Sequence, residues 1–318
     1  LKLILVDEQH RFGVEQRRIL RQKGVRETKR GPEHPHQLVM TATPIPRTLA
    51  LTAYGDLAVT TIKEMPPGRT PVKTIVVRQA GRGRAVDHVR KELRAGRQAY
   101  FIFPLVEDSE AEGFEHLQSA QAAVERLRNE VYPEFKVGLL HGQMKPDEKS
   151  AVMEAFSRNE IQVLVSTTVV EVGVDVPNAT VMVVEHSERF GLSQLHQLRG
   201  RVGRGSHASY CFLFAAESLG ETSFQRLSVL ERTQDGFEIA EADLEIRGPG
   251  EFLGTRQSGD LPFRMANLVR DQEWLFKARD DAQALLRHDP ELVLPGNLPL
   301  RRYFERDGQV QFERLKTA

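Results

Sequence analysis

The hydrophobic positions of this chain form short runs that are separated by longer stretches of mixed polarity. Each run is apolar or β-branched and ends in polar residues, which is typical of buried strands in a parallel sheet. The pattern predicts strands at residues 3–6, 37–40, 72–77, 99–104, 136–140, 162–166, 180–184 and 208–214.

The stretches between these runs carry apolar residues at helical spacing. In residues 85–95, Val86, Val89 and Leu93 fall on one face of a helix. Similar spacing predicts helices at 120–132, 147–156, 222–232, 239–246 and 267–287. Strands that alternate with helices over this length indicate an α/β fold with a mostly parallel sheet.

A proline-rich segment at residues 66–71 (Pro-Pro-Gly-Arg-Thr-Pro) interrupts this alternation. It fits neither a helix interior nor a central strand, so we interpret it as a linker. Residues 72–215 hold enough strands for a complete α/β domain, whereas residues 1–65 hold too few to close a core. The chain also opens on Leu1 at the start of a strand, without an initiator Met. We therefore expect a truncated first domain and a whole second one.

The pattern changes again in residues 216–318, where helices are predicted and the end, residues 301–315, is compatible with a last helix or a hairpin. Phe224, Leu227 and Leu230 are spaced for a buried stripe on the first of these helices. An Arg-Gly-Pro-Gly sequence at 247–250 ends the second helix, and residues 254–259 are predicted to form a loop.

Composition narrows the function classes. The 318 residues contain 44 Lys+Arg and 44 Asp+Glu, which argues against binding to nucleic acid through bulk charge alone. Local charged patches are still compatible with this balance. The single cysteine, Cys211, excludes an internal disulfide and is predicted to be a buried hydrophobic residue. Without a membrane-length apolar run or a signal peptide pattern, we expect a cytoplasmic protein.

The first candidate site follows the first strand. Asp7 and Glu8 come directly after an apolar run, at the strand end where α/β sheets bind ligands. One carboxylate can hold Mg²⁺ and the other can orient an attacking water molecule. Because many strands end in Asp-Glu, this motif alone is a weak signal.

The second candidate site is the sequence Gln-Leu-Arg-Gly-Arg-Val-Gly-Arg-Gly at residues 197–205. Arg201 and Arg204 are three residues apart, with glycines around them, so both can reach one target. Guanidinium groups bind phosphate oxygens through two parallel hydrogen bonds. The spacing favours a phosphate-binding function over a solvated basic turn.

In chain order, these motifs resemble those of superfamily 2 helicases, together with Thr-Ala-Thr at 41–43 and Gly-Val-Asp at 173–175. The longer strings at 7–14, 41–48 and 194–205 are similar to those of the RecG family of ATP-dependent DNA helicases. The transcription-repair coupling factor shares much of this motor. Gln9 and the segment 247–257 favour RecG. The resemblance covers about residues 1–285 and is highly specific.

The resemblance implies RecA-like parallel-sheet motor domains, the first one incomplete, followed by an α-helical hairpin segment. It also implies an ATP site split between the motor domains, with Asp7 on Mg²⁺ and Glu8 on the hydrolytic water. Arg201 and Arg204 would face the γ-phosphate. The residues that would complete this network are Gln197, Gly173 and Asp175. Those that would couple it to DNA are His10, Thr41 and Thr43.

The segment after residue 215 resembles the translocation motif that RecG shares with the coupling factor. There, a helical hairpin and a loop transmit the motor stroke to double-stranded DNA. The residues that match this motif are Arg226, Arg247, Arg256 and Gln257. His141 and Thr167 are predicted to contact the DNA backbone. Thr167 could also be a helix N-cap, and this interpretation is compatible with the phosphate contact.

A phosphate-binding loop, Gly-x-x-x-x-Gly-Lys-Ser/Thr, does not occur in the sequence. We therefore expect the C-terminal motor part of a monomeric helicase that remodels branched double-stranded DNA with ATP and Mg²⁺. The missing N-terminal part of the same protein would be its partner, and the isolated chain would be inactive. Two alternatives remain: the motor of a coupling factor, and a module that binds nucleic acid without hydrolysis.

Overall fold

The structure is a computed structural model that describes residues 2–7, 14–28, 31–41, 60–62, 64, 68–104, 120–167, 175–247 and 270–305. The chain divides into two compact units. One unit comprises Leu1–Thr60 with Asp243–Ala318, and the other comprises Thr61–Ala242. Each unit is described by itself.

The smaller unit contains a pair of parallel strands, β1 (Leu3–Val6) and β4 (His36–Val39). Between them along the chain lie helix α1 and an antiparallel hairpin. Their bounds are Val14–Lys23 for α1, Arg26–Thr28 for β2 and Gly31–Glu33 for β3. The strand pair agrees with the apolar runs, whereas the helix and hairpin fall in a charge-rich stretch that gave no such signal.

The larger unit is built on a six-stranded sheet in the order β5-β10-β9-β6-β8-β7, and every pairing in it is parallel. The strand bounds are β5 Val72–Val77, β6 Gln98–Ile102, β7 Val137–Leu140, β8 Val163–Ser166, β9 Ala179–Val184 and β10 Ser209–Phe214. Each lies within two residues of the run that predicted it. The α/β fold with a parallel sheet is thus confirmed.

Helices connect these strands. They are α2 Arg82–Arg94, a helix at 120–126 that continues as a π-helix Leu127–Val131, α3 Pro146–Ser157 and α4 Leu192–Arg199. Helix α5, Glu221–Arg232, follows β10. Short 3₁₀ turns at Gln79–Gly81 and Ser187–Arg189 precede α2 and α4. The long connections between parallel strands make such crossover helices necessary.

The core of the larger unit lies against the strands in the middle of the sheet. All residues of β6, β8 and β9 are buried. Val89 and Leu93 of α2 pack on one face, as their spacing predicted. Cys211 is 1% exposed, which confirms the prediction of a buried hydrophobic residue. Burial raises the pKa of its thiol to about 12.

Helix α5 corrects one expectation. Leu227 and Leu230 are buried as predicted, but Phe224 is 42% exposed. Phe224 lies in the first turn of α5, where the Arg78 guanidinium sits 5.4 Å from its ring centre. The prediction of a three-residue buried stripe was therefore wrong at Phe224, because that position faces a surface arginine instead of the sheet.

Three further helices follow: α6 Gly236–Arg247, α7 Gln272–His288 and α8 Leu298–Tyr303. Helices α6 and α7 overlap the helices predicted at 239–246 and 267–287. After α7, the Asp289 carboxylate accepts hydrogen bonds from the Val293 and Leu294 amides and from Asn297 Nδ2. In the part of the chain that is described, we find no helix with the length and apolarity that crossing a membrane requires.

Candidate functional site

A tight turn after α4 carries the two arginines of the second motif. Helix α4 ends at Arg199, and the Arg201 amide donates to the Leu198 carbonyl at 2.9 Å. Gly203 then takes a positive φ of 77°, a conformation that favours glycine. We call residues 200–205 the arginine turn. Its glycines set the direction in which Arg204 leaves the helix.

Arg204 forms an ion pair with Asp175, the aspartate of the Gly-Val-Asp motif at 173–175. Its Nη1 lies 3.5 Å from Asp175 Oδ1, and its Nε donates to the Gly200 carbonyl at 3.1 Å. Asp175 is exposed, whereas the Arg204 side chain is only 27% exposed. The structure therefore brings together two predicted site residues that are distant in sequence.

The charge of Arg201 reaches the same part of the larger unit as that of Arg204. Burial raises the pKa of the Tyr100 phenol to about 12, and the nearby charges of Arg201 and Arg204 lower it. Tyr100 is a buried residue of β6. The charges of both arginines therefore influence the same residue of the sheet, Tyr100. Gln197 lies on α4, one turn before Arg201.

Arg69 is a member of this cluster that the sequence did not reveal. Its Nη2 donates to the Gly200 carbonyl at 3.1 Å, the same oxygen that Arg204 contacts. Burial lowers the pKa of the Arg69 guanidinium, as does the charge of Arg204, while Asp175 raises it. Arg69 lies in the segment interpreted as a linker, and only its proximity in the fold reveals the contact.

Thr70, the linker residue after Arg69, forms hydrogen bonds with the arginine turn. The Thr70 amide donates to the Gly203 carbonyl at 3.3 Å. Its hydroxyl is 3.3 Å from the Gly205 carbonyl and 3.0 Å from that of His207. Among the described residues, the arginine turn and the linker beside it thus contribute the guanidinium groups of Arg69, Arg201 and Arg204, with the Asp175 carboxylate next to Arg204. Guanidinium groups are donors that fit a polyphosphate anion.

The carboxyl ends of two neighbouring strands carry the predicted DNA-contacting residues of the larger unit. Leu140 of β7 pairs with Ser166 of β8, so His141 and Thr167 occupy adjacent positions at this edge. Thr167 is 4% exposed, and its amide donates to the Leu140 carbonyl at 3.3 Å. Burial lowers the pKa of His141, as does the charge of Lys149. The structure thus brings the pair together, and their contact with DNA stays a prediction.

The smaller unit presents an equivalent edge. Val6 pairs with Val39 at the ends of β1 and β4, and the Met40 amide donates to the Val6 carbonyl at 2.7 Å. Asp7 and Thr41 follow these strands, and both are exposed. An exposed carboxylate at a strand end is a suitable Mg²⁺ ligand.

Arg226 forms a hydrogen bond within the larger unit. Its Nη2 donates to the carbonyl of Phe190, which precedes α4 in the chain. A role for Arg226 in translocation stays a prediction. Helix α6 ends at Arg247, whose side chain is not among those described. The predicted site residues that lie outside the described part are Glu8, His10, Thr43, Gly173, Arg256 and Gln257.

Two family models match the chain. The helicase conserved C-terminal domain matches residues 85–206, which include the arginine turn. The model described as ATP-dependent DNA helicase RecG, domain 3, C-terminal, matches residues 233–310.

Curated relatives match nearly the whole chain. The ATP-dependent DNA helicase RecG of Synechocystis sp. is 53% identical over 304 residues, which is 95% of this chain and 35% of the relative. The Bacillus subtilis protein of the same name is 48% identical over 315 residues, or 99% of this chain and 44% of the relative. The chain therefore spans less than half the length of these relatives.

A solved structure described as RecG bound to a three-way DNA junction is 45% identical, with a TM-score of 0.63. The match covers 86% of this chain and 33% of that protein. Sequence, family models and fold agree, and the motifs that suggested the resemblance lie within the matched region. The chain therefore belongs to the RecG family of DNA helicases.

Proposed function

We propose that the chain is the C-terminal motor part of an ATP-dependent translocase that remodels branched double-stranded DNA, such as stalled forks and Holliday junctions. The observation that carries this proposal is the arginine turn, which contains Arg201 and in which Arg204 contacts Asp175 and shares the Gly200 carbonyl with Arg69. Membership of the RecG family supplies the reaction class. In this proposal the protein acts as a cytoplasmic monomer.

The arginine cluster would bind the phosphates of ATP. Guanidinium groups of Arg201 and Arg204 would donate to phosphate oxygens and stabilise the charge that develops during hydrolysis. Asp175 pairs with Arg204 and would orient it for this contact. Arg69 adds a third positive charge next to them.

A magnesium ion would be held by Asp7, which is exposed at the end of β1. Bound Mg²⁺ neutralises phosphate charge during phosphoryl transfer. Glu8 would orient the attacking water, and this role comes from the sequence motif. His10, Thr41 and Thr43 would relay the nucleotide state to DNA.

DNA would be contacted at the strand edge that carries His141 and Thr167, and through the segment after residue 215. The relative solved with a three-way DNA junction supports a branched substrate for this family. In that segment, the translocation residues of the proposal are Arg226, Arg247, Arg256 and Gln257.

The isolated chain is expected not to hydrolyse ATP, because its sequence holds no phosphate-binding loop. Activity is therefore tested in a chimaera in which this chain replaces the matching part of the Synechocystis relative. ATP turnover by the isolated 318-residue chain would refute its predicted inactivity.

In the chimaera, Arg204→Ala is expected to lower DNA-stimulated ATP hydrolysis by about 10³-fold, since a phosphate-binding arginine contributes on this scale. Binding to forked DNA, measured by fluorescence anisotropy, should change less than about twofold. The control is Arg158→Ala, which removes an arginine that is 64% exposed and pairs with Glu154.

Two results would contradict the proposal. If Arg204→Ala abolishes fork binding and leaves hydrolysis intact, the arginine belongs to the DNA site. If the chimaera folds and binds forks without any ATP turnover, the chain is a nucleic-acid-binding module that works without hydrolysis.

A further inference from the structure

The side chain of Arg199 is a charged group buried in the larger unit. Arg199, the last residue of α4, is 4% exposed. Its Nη1 donates to the carbonyls of Leu230 and Thr233, both at 2.9 Å, and lies 3.4 Å from Thr74 Oγ1. Its Nη2 lies 3.0 Å from His196 Nδ1. One guanidinium thus joins α4, α5 and β5.

The two carbonyl contacts lie at the carboxyl end of α5. The last carbonyls of a helix lack partners within the helix and carry the negative end of its dipole. Arg199 therefore caps α5 from another helix. Lysine could not reproduce this contact, because its ammonium group lacks the planar fork of donors.

The fourth contact fixes a tautomer. A guanidinium can only donate, so His196 Nδ1 must accept and the proton of the neutral imidazole must be on Nε2. Burial lowers the pKa of His196 to about 4, and the charge of Arg199 acts in the same direction. The imidazole is therefore neutral at physiological pH and acts as an acceptor that holds the guanidinium.

Helix α5 is also tied to the edge of the sheet. Glu231 Oε1 accepts from the Val76 amide at 2.6 Å, and Gln234 Oε1 accepts from the Val72 amide at 3.2 Å. These bonds occupy amides of the edge strand β5. The end of α5 is thus held between β5 and Arg199.

Arg199 is directly followed by the arginine turn, whose Gly200 carbonyl accepts from Arg69 and Arg204. A displacement of this turn therefore moves the backbone that carries Arg199. The guanidinium would pull or release the end of α5, because it donates to two carbonyls there at 2.9 Å.

We infer that Arg199 is a positioning residue that couples the arginine turn to α5, so that a change at the nucleotide phosphates is passed to the helices that follow β10. This inference rests on the proposed function. A residue kept only for stability need not be charged, since buried ionic groups are often no more stabilising than apolar ones of similar volume.

The test measures coupling separately from stability. In the chimaera, Arg199→Lys is expected to raise the ATP consumed per base pair unwound by at least about threefold, the scale of a coupling residue. Fork affinity and the KM for ATP should stay within about twofold. Arg158→Lys is the matched surface control, and Thr74→Val, which removes only the 3.4 Å contact, should fold and give a smaller change in the same direction.

The proposal is overturned if Arg199→Lys lowers hydrolysis and unwinding by the same factor, or changes neither. Hydrogen exchange in the isolated chain gives a readout that does not depend on ATP turnover. Arg199→Lys should speed exchange both in the last turn of α5 and in residues 200–205, whereas faster exchange in α5 alone would refute the link. A chimaera without turnover contradicts the proposed function, and the exchange result still decides the link.

Discussion

Strands β1 and β9 are both apolar and both pair in parallel, yet they differ in burial. All six residues of β9 are buried, whereas Leu3 and Leu5 of β1 are 55% and 61% exposed. Strand β9 lies between β10 and β6, while β4 is the neighbour that β1 has among the described strands. The difference shows that an apolar run specifies a strand, and that neighbouring strands and helices on both faces are needed to bury it.

A leucine-to-alanine substitution in a buried strand of the larger unit and in β1 tests this difference in burial. Leu164 in β8 is 0% exposed, so Leu164→Ala should lower the free energy of unfolding of the larger unit by about 2–5 kcal/mol. Leu5→Ala in β1 should cost less than about 1 kcal/mol, because Leu5 already contacts solvent. Native-state hydrogen exchange, followed separately in β9 and in β1, measures both changes. Similar losses in the two strands would contradict the comparison.

Packing around the arginine turn can be tested with two glycines that share a left-handed backbone. A Cβ on Gly203 would lie 2.7 Å from Val72 Cγ2 and 2.9 Å from the Thr70 carbonyl oxygen. Gly203→Ala should therefore destabilise the larger unit by roughly 2–4 kcal/mol, from backbone strain and overpacking together.

Gly68 is the matched control. Its φ is 83°, and among the described residues no heavy atom lies within 4 Å of the place that a Cβ would occupy. Gly68→Ala should cost only the backbone strain, about 1–2 kcal/mol. Thermal unfolding followed by circular dichroism gives both values. Equal losses would mean that the close approach of Gly203 to Thr70 and Val72 does not contribute.

The sequence predicted the strands well where most residues of a strand are apolar. The runs at 72–77 and 180–184 predicted their strands within one residue, because central parallel strands are apolar throughout. Helix α1 and the β2–β3 hairpin were missed, since residues 17–30 carry seven lysines and arginines and no apolar period. Phe224 was misassigned because periodicity shows which face of α5 is apolar but not whether the packing surface of the sheet reaches the first turn of the helix.

The candidate site was predictable in part. Arg201 and Arg204 were found because their spacing and glycines form a local pattern. Arg69 contacts the carbonyl of a residue 131 positions away, and nothing local marks it. The buried position of Arg199 was likewise hidden, because α5 follows it by more than twenty residues.

The last prediction tests the buried interior of the larger unit through pH. The folded pKa of His196 is lowered to about 4, primarily by burial and then by Arg199, whereas an unperturbed histidine has a pKa near 6.5. Below about pH 6.5 the unfolded chain binds a proton at this histidine and the folded chain does not. The free energy of unfolding is therefore highest above pH 6.5, and it falls as the pH falls from about 6.5 towards 4. The charges that face His196 are Arg199, Asp235 and Arg69.

Between pH 7 and pH 5, the larger unit should therefore lose about 2 kcal/mol more than a variant without this group. His196→Gln keeps an acceptor for Arg199 and removes the titration, so its stability should vary less over this range. The control His207→Gln, at an exposed histidine, should retain the wild-type dependence. Hydrogen exchange of the β9 amides at several pH values measures each difference. If the wild type and His196→Gln lose stability in parallel, the imidazole is solvated and the buried network around Arg199 is more open than its contacts indicate.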